Sequence, residues 1–98
     1  MTRIQEYMLC FLLNRDSYAV EIRNIIFELT DGDLYLGDGN LYPSLHKLEK
    51  GDFVKSYMSD ISLDVRGGNR RKMYTITLKG RDFIDGEDEF RQRLKKWY

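Results

Sequence analysis

Apolar residues recur along this chain in four helical stripes and two short alternating runs, which predicts three helices, a β-hairpin and a last helix. From Arg3 to Leu13, Ile4, Tyr7, Met8, Phe11 and Leu12 form one helical face, while Leu9, Cys10 and Leu13 occupy the other. A helix apolar all round must be covered all round, so one side is expected on the domain's own core and the other on a second subunit. Asp16-Ser17 offers an N-cap for a second helix from Tyr18 to Leu29, with Ile22, Ile25, Ile26 and Leu29 as its buried stripe. Thr30-Asp31-Gly32 ends it, and a Gly- and Asp-rich connection leads through Gly37-Asp38-Gly39 into the third helix. Pro43 lacks an N–H and is tolerated in a first helical turn, which places the start of that helix near Asn40.

In the third helix Leu41, Leu45 and Leu48 share the face that packs, and Asn40, Pro43, His46, Lys47 and Lys50 fall around the other. Phe53 to Met58 and Arg71 to Ile76 read as two strands, the second with Tyr74 and Ile76 on one face. The turn between them carries Arg66, Asn69, Arg70, Arg71 and Lys72, with four cations from 66 to 72 and no acid. That clustering suits a hairpin tip on a phosphate backbone; a solvated turn is the plainer alternative. Thr77 caps the last helix, in which Phe83, Phe90, Leu94 and Trp97 form a narrow stripe suited to pairing between subunits. Gly86 and the acids from Asp85 to Glu89 should weaken that helix at its middle. A helix beside a basic hairpin implies a winged helix-turn-helix: mainly α with a small β-hairpin, and a C-terminal dimerisation helix. Residues 1–77 form the DNA-binding part and 78–98 the dimerisation helix, as one structural unit.

Ninety-eight residues suit a single small core, which extra burial by self-association would stabilise. The formal net charge is zero, which argues against a protein that coats DNA by overall charge. Segregation of charge matters more. Acids crowd residues 28–38 and 82–89, and cations crowd 66–72 and 91–96. Cys10 is the only cysteine, so no internal disulfide forms, and its apolar surroundings suggest a buried thiol in a reducing compartment. No secretory signal or membrane-spanning run is visible, and a cytoplasmic location without membrane association is expected.

Little in the chain suggests catalysis. His46 is the only histidine and has no cysteine or carboxylate at ligand spacing, so a surface helix position is expected rather than a metal site. Asp31-Gly32-Asp33 resembles the start of a calcium loop, but Leu36 and Tyr42 stand where the sixth-position glycine and twelfth-position glutamate belong. With no nucleophile–base pair and no phosphate-binding glycine loop, neither enzymatic activity nor a cofactor is expected.

Several segments resemble the PadR family of transcription regulators. Tyr18-Ala19-Val20-Glu21-Ile22 resembles the family's Tyr-Gly-Tyr-Glu-Ile segment, and Gly39-Asn40-Leu41-Tyr42-Pro43-Ser44-Leu45 its Gly-Thr-Leu-Tyr-Pro-Ala-Leu signature. Leu48-Glu49-Lys50, the Arg-Lys-x-Tyr pattern at 71–74 and Thr77-Leu78-Lys79-Gly80 complete the likeness over roughly residues 4–82. It implies a third helix in the major groove, with Asn40, Ser44 and Lys47 as base readers, Tyr18 and Tyr42 on phosphate, and the wing along the backbone. Three departures stand out: Asp52 in place of a family glycine, Arg70 in place of the wing proline, and Ala19 in the opening pair of the second helix.

Three functional classes follow. The leading one is a homodimeric repressor on an inverted-repeat operator in double-stranded DNA, with Met8, Phe11, Leu12, Phe83, Phe90, Leu94 and Trp97 at the dimer interface. The second is a sensor that binds a small flat hydrophobic effector between paired Trp97 side chains, as some short members of the family do. The third is a protein-interaction module that keeps the fold without strong DNA binding.

Overall fold

The computed structural model describes residues 1–59 and 70–97. Within them run α1 (Arg3–Leu12), β1 (Ser17–Tyr18), α2 (Ala19–Leu29), α3 (Asp38–Lys50), β2 (Val54–Met58), β3 (Lys72–Ile76) and α4 (Leu78–Lys95). The strands form one antiparallel sheet in the order β1-β3-β2. Thr2 and Gln5 open α1 with a capping box: the Thr2 hydroxyl accepts from the Gln5 N–H at 3.1 Å, and the Gln5 side chain accepts from the Thr2 N–H at 2.9 Å. Two donors left over by the helix start are thereby satisfied.

The second helix begins differently from expectation. Ser17 and Tyr18 are extended and pair with Tyr74 and Met73 of β3, so the hairpin gains a third strand. Ser17 is fully buried and its hydroxyl donates to Glu21 at 2.6 Å, and Tyr18 takes the N-cap position without a side-chain cap. Two residues are too few to show alternation, which is why β1 left no mark in the pattern.

α3 starts at Asp38, ahead of Asn40, and Pro43 lies beyond its first turn. The N–H that Pro43 lacks would have reached the Gly39 carbonyl; Gly39 is exposed, so water can satisfy that oxygen and the helix continues. Past Lys50 the chain turns on Asp52, whose φ of 63° is left-handed, and the Phe53 N–H donates to the Leu48 carbonyl at 3.0 Å. An aspartate thus does what glycine does at many helix ends.

The core gathers Met8, Leu9 and Leu12 of α1, Ile22 and Ile26 of α2, Leu36, the three leucines of α3, Val54, Tyr74 and Ile76 of the sheet, and Ile84 of α4. Each large aliphatic buried here stabilises the fold by about 1.5–3 kcal/mol. Met8 and Leu12 are 0% and 1% exposed within one chain, so they cannot also face a second subunit; the outward side of α1 is the one with Tyr7 and Cys10. Cys10 is accordingly exposed, not buried. Phe83 is half-buried and packs edge-on against Phe53 at 5.5 Å, which makes it part of this domain's own packing.

α4 is fastened at its start. The Thr77 hydroxyl accepts from the Gly80 N–H at 3.1 Å and lies 3.0 Å from the Phe53 carbonyl, while Lys79 donates to the Gly51 carbonyl at 2.8 Å. Gly80 is required by close approach, because a Cβ there would lie 2.3 Å from the Phe53 carbonyl oxygen. The helix runs unbroken through Gly86 to Lys95, with Arg91 tied to Glu6 of α1 at 2.9 Å and Arg93 to Glu89 at 3.3 Å. These ion pairs lie on the weak stretch and offset part of the glycine's propensity cost.

Candidate nucleic-acid interface

With its leucines turned inward, α3 presents Asn40, Tyr42, Pro43, His46, Lys47 and Lys50 to solvent, and Ser44 half-buried at the edge. Beside this face runs an open groove of about 360 Å³, lined by Tyr18, Ala19, Val20, Tyr42, His46, Arg71, Lys72 and Tyr74. Its three walls come from segments far apart in sequence. β1 brings Tyr18 to the sheet, β3 brings the cations and Tyr74, and α3 supplies Tyr42 and His46.

The walls are held in register by specific contacts. The Arg71 guanidinium lies 4.4 Å from the Tyr18 ring centroid, a cation–π contact that leaves its charge available at the groove. On β3, Lys72, Tyr74 and Ile76 share the face toward α3, since side chains alternate along a strand. Lys72 therefore meets Glu49 at 3.6 Å and lies 5.6 Å from the Tyr74 ring centroid. Glu49 also accepts from the Ser56 hydroxyl; that bond first, and the Lys72 charge next, hold its carboxyl below the usual range. Burial pushes the Tyr74 phenol up, so it stays neutral there. The expected acid-free cation cluster is thus acid-free only in sequence: Lys72 shares its charge with Glu49, while Arg70 and Arg71 are exposed.

A second set of contacts fixes the start of α3. Arg23 of α2 donates to the Asp38 carboxylate at 2.8 Å and lies 5.5 Å from the Tyr35 ring centroid. The hydrogen bond to Asp38 pushes the guanidinium's pKa up further. On the far side of the sheet the Tyr57 hydroxyl donates to Asp16 at 2.6 Å, tying β2 to the turn before β1.

The family model of the transcriptional regulator PadR-like family matches residues 8–86. The chain belongs to that family. A transcriptional regulator from Clostridium thermocellum superposes with a TM-score of 0.78 at 29% identity, over 95% of this chain and 84% of that one. A PadR family transcription regulator from Clostridium difficile gives a TM-score of 0.76 at 27% identity, over 97% and 93% of the two chains. An uncharacterized protein of Lysinibacillus sphaericus is 27% identical over 94 residues, 96% of this chain and 77% of that protein. PadR-like proteins are transcription regulators, and the four helices with a small three-stranded sheet match their winged-helix architecture.

Of the residues singled out in the sequence, this PadR-like fold brings Tyr18, Tyr42, Arg71 and Lys72 around one groove. Asn40, Ser44 and Lys47 lie on the opposite flank of the same outward face of α3. Arg66 and Asn69 fall outside the described residues. Two side chains around the site escaped the sequence reading, Glu49 opposite Lys72 and Arg23 at the start of α3; His46, expected at a surface position of the helix, is exposed there and lines the groove. The register of α3 could have placed His46 one turn after Tyr42. Nothing local could have paired Arg23 with Asp38.

On the opposite side Phe90, Leu94 and Trp97 are 56%, 58% and 84% exposed. A second, largely apolar groove of about 310 Å³ lies between α1 and α2, lined by residues that include Tyr7, Cys10, Phe11, Ile25 and Leu29. Although Cys10 is exposed, partial desolvation of its sulfur in this groove, followed by the nearby Asp88 and Glu6 carboxylates, pushes the thiol up. Among the described residues no helix is long and apolar enough to cross a membrane.

Proposed function

We propose that this PadR-like chain is a homodimeric, sequence-specific repressor that occludes a promoter by placing two copies of α3 in successive major grooves of an inverted-repeat operator. The supporting observation is the groove beside α3. Tyr18, Tyr42 and Arg71 line one groove next to a helix face whose exposed Asn40 and Lys47 side chains make no hydrogen bond or ion pair among the described residues. Such donors suit a phosphate run, and the adjoining Asn40 and Lys47 suit base edges. Residues 1–77 act as the DNA-binding part, and residues 78–98 carry dimerisation through Phe90, Leu94 and Trp97. The apolar α1–α2 groove, with half-buried Phe11 in its lining, offers that stripe a surface of matching character. The protein works in the cytoplasm, where its operator is.

Selection from random duplex DNA tests this proposal. A two-fold symmetric motif is expected, with half-sites about one helical turn, or a multiple of it, apart. Asn40→Ala and Lys47→Ala should relax preference at symmetric positions, by about 1–3 kcal/mol where a base contact is lost. Selection without a symmetric motif, and variants that bind as the parent does, would remove the sequence-reading role and leave an interaction module.

A further inference from the structure

His46 stands in the groove and, among the described residues, makes no side-chain hydrogen bond or salt bridge. It is exposed on α3, one turn beyond Tyr42, and shares the groove with Tyr18, Tyr42, Arg71, Lys72 and Tyr74. A phosphate that met Tyr42 and Arg71 in this groove would share it with that ring. Histidine is the side chain whose charge changes between about pH 5 and 8. Every other cation in this groove is permanent in that range.

Among the described residues the charged and titratable groups around it are few. On α3 they are Tyr42, Glu49 and Lys50, at four positions before and three and four after; on the sheet they are Arg71, Lys72 and Tyr74, with Tyr18 from β1. Glu49 is the one carboxylate among them, and it already accepts from Ser56 and pairs with Lys72 at 3.6 Å. Glu49 also lies within reach of the His46 charge, but it is shared with Ser56 and Lys72, so a phosphate in the groove would add a counter-charge that the imidazole does not have to itself.

We propose that His46 is a proton-dependent phosphate contact: when a duplex lies in the groove, a backbone phosphate favours the imidazolium, so binding takes up a proton and affinity rises as the pH falls. This rests on the DNA-binding reading of the same groove and adds to it a residue and a pH dependence. The mechanism needs no movement of the fold. One cation is added to the contact set below the transition and removed above it.

The test is fluorescence anisotropy with a labelled mixed-sequence duplex of about 30 base pairs, since phosphate contacts are independent of sequence. Parent, His46→Gln and His46→Arg are titrated at pH 5.5 and 8.0 over a series of salt concentrations, with circular dichroism to verify the fold of each. The parent should bind on the order of tenfold more tightly at pH 5.5, with a log–log salt slope steeper by about 0.9, the contribution of one added phosphate contact. His46→Gln should lose that difference, and His46→Arg should keep the steeper slope at both pH values. A pH effect of equal size in His46→Gln, or none in the parent, would overturn the proposal while leaving DNA binding intact. If none of the three binds the duplex at either pH, the DNA-binding reading itself falls, and this contact with it.

Discussion

α3 and α4 have opposite relations to the core. α3 buries Leu41, Leu45 and Leu48 over 13 residues, and what it leaves outside is polar, cationic or phenolic. α4 buries only Gly80 and Ile84 over 18 residues and leaves Phe90, Leu94 and the following Trp97 in water. A helix with a complete inner face and a polar outer one is finished as part of a monomer, and its outer face is free for a charged ligand. A helix with apolar side chains over its outer half presents a patch of the kind that an interaction partner covers. The two ends of this small domain thus face different chemistries, and a perturbation at one should be distinguishable from a perturbation at the other.

Replacing Phe90 and Leu94 together by aspartate should have the largest effect. Anchors of this kind each contribute about 2 kcal/mol or more to association, so losing both should weaken self-association on the order of a thousandfold. Sedimentation or light scattering at micromolar concentration should change from dimer to monomer, and binding to a two-fold operator should fall with it. The helical circular dichroism of the domain should persist, because neither side chain contributes to the core. A parent that is already monomeric at that concentration would break the comparison, since α4 would then be stable with its stripe exposed.

Gly80→Ala acts where the start of α4 comes closest to the backbone of the rest of the fold. The added methyl would sit 2.3 Å from the Phe53 carbonyl oxygen and 2.7 Å from Ile76, and a backbone oxygen has nowhere to rotate. A loss of about 1–3 kcal/mol in urea unfolding is expected, against a slight gain at Gly86, where a Cβ would meet nothing. Equal effects at the two glycines would show that the start of α4 is less tightly seated than its contacts imply.

The sequence conveyed most of this division and missed what joins distant segments. The stripe of α3 lies where 3.6-residue periodicity puts it, and Thr77 caps as a threonine before a helix should; in α2 Ile22 and Ile26 are buried, but Leu29, expected in the same stripe, falls in the last turn and is 77% exposed. Periodicity also shows that α1 is apolar all round, but not which side the monomer covers: Met8 and Leu12 went inward and Cys10 outward. β1 has two residues, and its pairing with β3 joins positions more than fifty apart. In the same way Lys72 looked unopposed because Glu49 is 23 positions earlier and reaches it only through the hairpin's packing on α3. Local pattern specifies what each element presents; tertiary pairing decides which charges remain free.

Arg71→Ala sharpens the charged end of the comparison. Its guanidinium is exposed, stacked on Tyr18 and, among the described residues, not paired with an acid, so it presents its charge at the groove. Removing one phosphate contact should flatten the log–log salt dependence by about 0.9 and weaken binding to all duplexes alike. Lys72→Ala should do less, because part of that charge is committed to Glu49. Titrations at several salt concentrations separate the two, and equal slopes for both variants would mean that the Lys72–Glu49 pair opens when DNA binds.

Glu49→Gln should have the smallest effect and a definite sign with pH. The Ser56 hydroxyl and the Lys72 charge lower the carboxyl's pKa in the folded chain relative to the unfolded one. Their contribution to stability is therefore complete above the ordinary carboxylate range and is lost as pH falls through the lowered value. The pair is partly solvated, with side chains 53% and 32% exposed, so no more than about 1 kcal/mol is involved. Urea unfolding at pH 7 should show the parent slightly more stable than Glu49→Gln, and the gap should close toward pH 3. Because the variant also releases Lys72, its DNA affinity at neutral pH should rise, opposite to its effect on stability. A variant that loses both stability and affinity would place Glu49 among the groups that shape the groove rather than those that restrain its charge.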